Sequence, residues 1–198
     1  MKLTAYCLLF AFLLASCSNN HKKILVLTKG STKVDKETKI VTVGTGTGGD
    51  SKLLEYDDAK VTFTIKKGDG GDVAVDFTEP GYYILNAKVD TVVGSLQHYG
   101  ESGTKVLKQE VLKKALDSLT LLLQNKNVSD ANKNFFIAPY TSVKVTTNGE
   151  AIVVPPYRQL PSIEVKDDKQ PEVYRFWNIN EIRETMDRLA KDTVAIKK

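Results

Sequence analysis

Between Lys60 and Phe77 apolar and polar residues alternate in two runs separated by a turn, and no other feature limits the possible folds of this chain as strongly. Val61, Phe63 and Ile65 are interleaved with Lys60, Thr62, Thr64 and Lys66, and Val73, Val75 and Phe77 answer them across Lys67-Gly68-Asp69-Gly70-Gly71-Asp72. A period of two puts every second side chain on one face of a strand, so the runs read as a hairpin with one buried face. Strand signals continue on both sides. Ile24-Leu25-Val26-Leu27 is a short apolar run and Lys39 to Val43 alternates. After the Glu79-Pro80-Gly81 turn, Tyr82 to Val89 and Val92 to Gln97 read as strands joined at Asp90-Thr91. Turns at such short intervals over residues 24–100 predict a small antiparallel β-sandwich or a curled sheet.

The pattern changes after Gly100 and Gly103. Thr104 is placed to cap a helix from Lys105 to Gln124, in which Val111, Leu112, Ala115, Leu116, Leu119, Leu122 and Leu123 share one arc and Glu110, Lys113, Lys114 and Asp117 oppose it. One long amphipathic helix of this kind needs a sheet to cover. Asn125 to Asn134 reads as polar loop, with Asn127-Val128-Ser129 taken as turn chemistry. Asn148-Gly149 sits between Val143–Thr147 and Glu150–Val154, which predicts a two-residue type I′ hairpin pairing Val145 with Ile152 and Val143 with Val154. Pro155-Pro156-Tyr157 and Pro161 predict a rigid extended connection. Val173 to Trp177 reads as a short strand, and Asn178 with Glu181 as the capping box of a C-terminal helix. That helix carries an apolar stripe (Ile179, Ile182, Met186, Leu189, Ala190) and wet-face pairs Arg183–Asp187 and Glu184–Arg188. The expected class is α+β, with 24–100 β-rich and 104–198 holding helix, hairpin and helix, packed together as one unit.

Material for catalysis is sparse. Gly44-Thr45-Gly46-Thr47-Gly48-Gly49-Asp50-Ser51 lacks the Gly-Lys-Ser/Thr ending of a P-loop and is expected to be flexible loop. Asp69 and Asp72 lack the spacing of a calcium loop. The chain has two histidines, His21 and His98, too few for a multi-histidine zinc site, and no Gly-x-Ser-x-Gly elbow accompanies His98. Glu55, Asp57, Asp58, Asp76, Glu79, Asp90 and Glu101 are available for acid–base work, though nothing in the sequence pairs them. Tyr82, Tyr83, Tyr99, Tyr140, Tyr157 and Trp177 are candidates to line a sugar or peptide groove. The expectation is no catalytic residue, no cofactor and no metal.

The N-terminus speaks of location. Met1-Lys2 is followed by an apolar run from Leu3 to Ala15, broken only by Thr4 and ended by Ser18-Asn19-Asn20-His21-Lys22-Lys23. A membrane span needs about 20 apolar residues, so this run reads as a secretory signal. Leu14 fits an ordinary A-x-A cleavage site badly. Leu14-Ala15-Ser16-Cys17 resembles the lipobox of bacterial prolipoproteins instead. The resemblance implies cleavage between Ser16 and Cys17 of a signal spanning 1–16, and acyl chains on Cys17, followed by a tether over 17–23. Two or more chains give stable anchoring. Of the two cysteines, Cys7 would leave with the signal and Cys17 would carry lipid, so 182 residues without a disulfide must be stabilised by packing. The charge of +4 is mild, without a long basic run, and speaks against nucleic acid.

Gly81-Tyr82-Tyr83-Ile84-Leu85-Asn86, Asn132-Lys133-Asn134-Phe135-Phe136 and Tyr174-Arg175-Phe176-Trp177 resemble small lipoproteins of Bacteroidota-type Gram-negative bacteria, a resemblance that implies no activity. Ser18 rather than Asp after the cysteine implies the outer membrane, and the absence of an acidic export signal over Ser18 to Lys23 implies its periplasmic face. The expected role is a membrane-anchored envelope lipoprotein, with membrane lipid as partner through Cys17. It would act as a non-enzymatic binding or assembly module for an envelope protein. The alternative is a hydrolase or carbohydrate-binding protein acting on envelope polymers.

Overall fold

A computed structural model describes residues 20–68, 70–97, 109–129, 131–159 and 171–195. Residues 1–19, which hold the expected signal, Ser16 and Cys17, lie outside them. So do Asp69, His98, Tyr99, Gly100, Glu101, Gly103, Thr104, residues 105–108 and Pro161, and the side chains of Val111, Leu112, Ala115 and Leu189.

The strands are β1 (Lys22–Lys29), β2 (Lys33–Asp35), β3 (Ile40–Thr42), β4 (Gly49–Tyr56), β5 (Val61–Lys66), β6 (Val73–Phe77), β7 (Gly81–Asn86), β8 (Val92–Gln97), β9 (Asn134–Ile137), β10 (Ser142–Thr146), β11 (Ile152–Val154) and β12 (Val173–Asn178). The helices are α1 (Gln109–Leu123) and α2 (Ile179–Ala195). The strands form three four-stranded sheets: a central sheet β10-β7-β1-β4, an outer sheet β2-β3-β5-β6 and a third sheet β11-β12-β8-β9.

Burial of the central sheet on both faces organises the stack. Ile24 and Val26 of β1, with Tyr83 and Leu85 of β7, pack against Val41, Phe63, Ile65 and Phe77 of the outer sheet. The alternate residues Leu25, Leu27, Tyr82 and Ile84 pack against Val92, Phe135, Tyr174 and Phe176 of the third sheet. Strands covered on both sides read as continuous apolar runs, which is why Ile24–Leu27 and Tyr82–Leu85 do not alternate. Tyr56, Phe63, Phe77 and Tyr83 form an edge-to-face series between the first two sheets, with centroids 5.9, 6.0 and 5.0 Å apart. Such pairs add about 0.5–1.5 kcal/mol each beyond burial. The two end hydroxyls donate to the Lys36 and Glu79 carbonyls, so neither is left unsatisfied. The far face of the third sheet offers Val93, Phe136 and Trp177 to Leu119 and Leu123 of α1 and Ile182 of α2.

The α+β class holds, with several corrections. The sheets are mixed rather than antiparallel, because β1–β7, β3–β5 and β11–β12 run parallel. The expected single long helix is replaced by two of similar length, 15 and 17 residues. The expected β5–β6 hairpin forms, with Val61 opposite Phe77 and Phe63 opposite Val75. The Asn148-Gly149 hairpin does not. β10 pairs with β7, and β11 with β12. Neither Asn148 nor Gly149 has the positive φ a type I′ turn needs. Asn148 Oδ1 instead accepts the Glu150 N–H at 2.9 Å, turning the chain from the central sheet into the third. Val145 and Val153 instead join the core between the central and third sheets.

Residues 49–51, expected in loop, belong to β4, an edge strand whose only buried apolar residues are Leu54 and Tyr56. β7 ends at Asn86, short of Val89, and β7 and β8 lie in different sheets. Tyr157 has φ 63° in a turn rather than an extended connection. On α2, Ala190 is exposed, and Arg188 donates to Thr185 rather than pairing with Glu184.

Gly94 lies opposite Phe176 on β12, and a Cβ there would come within 2.2–2.8 Å of the Phe176 ring. Gly149 has open space around its Cα. Gly94→Ala is therefore expected to lower stability by about 1–3 kcal/mol in urea unfolding, while Gly149→Ala stays within about 0.5 kcal/mol.

Candidate functional site

Two strands that run parallel bring their carboxyl ends to the same edge, and β1 and β7 do so at Lys29 and Asn86. A cavity of about 670 Å³ opens there. Its walls are Lys29, the Gly48-Gly49 entry to β4, residues 88–91 after β7, Tyr157, and the junction Asn178-Ile179-Asn180 with Arg183 one turn further along α2.

Local chemistry fixes each wall. Asn86 is fully buried, and its Nδ2 donates to the Asp90 carbonyl at 2.9 Å and the Ala138 carbonyl at 3.1 Å, which holds the loop carrying Lys88. β12 runs into α2 without a loop, so the helix N-terminus is placed by the packing of the third sheet. The expected capping box is half formed. Glu181 Oε2 accepts the Asn178 N–H at 3.4 Å, but Asn178 Oδ1 accepts Lys88 Nζ at 2.6 Å instead of capping a first-turn N–H. Glu181 also accepts the Tyr157 N–H, at 3.1 and 3.2 Å to its two oxygens, pinning that turn to the helix. The Tyr157 ring lies over Gly49, where a Cβ would stand 3.1 Å from it.

The electrostatics favour anions. Lys29, Lys88 and Arg183 face the cavity against one carboxylate, Asp90, which Lys29 holds at 3.0 Å. Lys88 is 4% exposed. Burial pushes its ammonium down to about 8, with Lys29 adding to the effect and Asp90 and Glu181 opposing it. The N-terminus of α2 contributes partial positive charge.

Among the described residues, the acidic candidates from the sequence do not converge on a catalytic pair. Asp57 bonds His21 at 2.8 Å, Asp76 pairs with Lys60 at 2.8 Å, Glu79 with Lys144 at 2.6 Å, and Asp58 with Lys39 at 3.7 Å. Hydrogen bonds from Lys60 and Thr62 hold Asp76 below the usual carboxylate range, and Lys144 does the same for Glu79. Among the described residues no three His, Cys, Asp or Glu side chains are grouped to hold a metal. Of the tyrosines, Tyr157 reaches the cavity; Tyr82 and Tyr83 are core. Lys29, Lys88 and Arg183 were missed as site residues. The usable signal was two lysines just past two apolar runs, which becomes meaningful only once those runs are known to be parallel.

A second polar centre, Glu172, had no sequence signal. Its carboxylate accepts from Lys133, from the Tyr174 hydroxyl at 2.5 Å and from Thr146 Oγ1 at 3.0 Å. Burial alone would raise its pKa, but these donors hold it down to about 2. Its oxygens are fully engaged, which marks it as structural.

Two pH responses follow. Between about pH 8 and 10.5 native Lys88 has lost its proton while the unfolded chain keeps it, so stability contributed by this group rises with pH. Lys88→Met is expected to raise stability at pH 7 by up to about 3 kcal/mol and to abolish that rise in chemical unfolding. Glu172 contributes stability above about pH 4.5 that is lost as pH falls toward 2, on the order of 2–3 kcal/mol, and Glu172→Gln should flatten that acid limb.

Searches against protein-family models, curated proteins and solved structures find no match to this chain.

Proposed function

We propose that this chain is a lipid-anchored envelope protein that acts as a non-enzymatic binding module, held on the periplasmic face of the outer membrane through acylated Cys17. The anchoring half rests on one observation, the Leu14-Ala15-Ser16-Cys17 run at the end of a short apolar segment. Among the described residues no helix is long and apolar enough to cross a membrane, so attachment through lipid is the route this reading uses.

The binding half is supported by the arrangement of the two poles. The tether enters at Lys22, the first residue of β1, and the cavity opens at Lys29, its last. Eight extended residues separate these points by roughly 23 Å, so a body tethered at one pole presents the cavity away from the bilayer. The described lining offers cations, an amide and an aromatic ring, and its carboxylate is tied to Lys29, a set that suits binding better than hydrolysis. An envelope protein partner and a carbohydrate polymer remain the two occupant classes of this reading; Tyr157 at the rim favours the second.

In a Gram-negative host, the wild-type protein is expected to incorporate radiolabelled palmitate and to enter the detergent phase on Triton X-114 partition. Cys17→Ala is expected to do neither. Labelling and membrane retention of the Cys17→Ala protein would overturn the anchor.

A further inference from the structure

We propose that the cavity at the carboxyl ends of β1 and β7 binds an acidic sugar, its carboxylate on Lys88 and Arg183 and its ring against Tyr157. The proposal deepens the binding-module reading and rests on it, but is independent of the lipid anchor.

Lys88 carries the argument. Its side chain is more than nine-tenths buried, its Nζ bonds one neutral acceptor, Asn178 Oδ1, and no carboxylate among the described residues lies within 4 Å of it. A buried cation with no carboxylate in direct contact lowers stability, and an apolar side chain of similar length would fill the space without that penalty. Lys22 shows the structural alternative. It too is fully buried, but its Nζ donates to two carbonyls, of Asn20 at 3.0 Å and Asp58 at 2.7 Å. Lys88 keeps donor capacity and charge at the wall of a cavity instead.

The surroundings add charge of the same sign. Arg183 makes no ion pair within 4 Å among the described residues and faces the same space, and Asp90 is occupied by Lys29. An anion entering here is met by two cations that make no ion pair within 4 Å among the described residues and by the positive end of α2, whose Asn178 side chain has been drawn to Lys88.

The rim argues for a ring rather than a bare ion. Tyr157 is 60% exposed and Val89 58%, and both border the cavity. Tyr157 holds φ 63°, which a bulky residue adopts at a cost, and its N–H is fixed by Glu181. An exposed aromatic face beside cations, on backbone held by Glu181, matches a molecule with an apolar ring face and a carboxylate. A volume of about 670 Å³ exceeds what phosphate or acetate fills and suits a sugar of one to three rings.

The test is isothermal titration of the lipidated full-length protein in detergent micelles at low salt, with D-glucuronate, D-glucose and inorganic phosphate as probes. Glucuronate is expected to bind at least 10-fold more tightly than glucose. Lys88→Met and Arg183→Gln should each weaken glucuronate by 10-fold or more, and Lys60→Gln, on the opposite pole, should leave it unchanged. Tyr157→Ala should weaken glucuronate by about 10-fold and leave phosphate unaltered. Glucuronate binding no better than glucose, or unaltered by Lys88→Met and Arg183→Gln in folded protein, would overturn the proposal. Phosphate binding as tightly as glucuronate with Tyr157→Ala silent would overturn the sugar assignment and identify a simple anion site. Because the anchor plays no part, a Cys17→Ala protein that fails to reach the membrane should still bind glucuronate, so the two readings fail separately.

Discussion

The rest of the structure is arranged around two strands, β1 and β7, that are buried on both faces. β1 and β7 lie at the middle of the central sheet, with the outer sheet against one surface and the third sheet against the other. A strand in that position has no face for polar side chains, so they collect at its ends. β1 begins with Lys22 and Lys23 and ends with Thr28 and Lys29, while β7 ends at Asn86. Parallel pairing then sorts those ends. The amino ends meet at the opposite pole, where Lys22 is satisfied by main-chain carbonyls, and the carboxyl ends meet the cavity. A polar site at the edge of a doubly covered sheet is a geometric consequence of two-sided burial plus parallel strands, and the residues there are free to do something other than pack.

The third sheet supplies the rest of the site by a different route. Its packing against the central sheet depends on close cross-strand contact at Gly94, where the Phe176 ring occupies the space a side chain would take. That contact sets the position of β12, and β12 runs straight into α2. The helix N-terminus is thus fixed on the cavity by the sheet's core rather than by a loop. Ile182, fully buried against Val93 and Trp177, holds the first turns of α2 down, which leaves Arg183 on the adjacent face toward the cavity.

Local pattern was enough wherever one strand pair buried one face. The β5–β6 hairpin and its apolar face were legible because Val61, Phe63 and Ile65 alternate with polar residues and pair with the next strand in the chain. The two helices were legible as amphipathic segments, although neither dominates. Pairing between distant segments was not legible. β10 and β11 flank a turn dipeptide that ordinarily makes a hairpin, yet β7 and β12 offered each of them a partner with more buried surface, and tertiary burial outweighed turn preference. β4 was hidden for the opposite reason: an edge strand with two buried apolar residues carries almost no periodic signal. The Gly44–Ser51 stretch, which lacks a P-loop ending, runs into β4 at Gly49 rather than into a helix. Even so Gly48 and Gly49 border a cationic cavity, because the helix that faces them comes from the other end of the chain. The cavity's lysines gave no motif, because their meaning lies in which strands run parallel.

Two buried lysines in one small protein allow a comparison that a single one would not. Lys22 and Lys88 each lie just beyond or at the end of a central strand, and each is removed from solvent. The first meets two carbonyl oxygens, which compensate much of what the ammonium loses on leaving water. The second meets one amide oxygen, and its pKa falls to about 8 because burial outweighs that bond and the more distant carboxylates together. The fold therefore contains the means to satisfy a buried ammonium and uses it at one pole only. A stability penalty accepted at a cavity wall, beside an arginine without an ion pair among the described residues and an exposed tyrosine, is the pattern expected where an incoming anion completes the electrostatics.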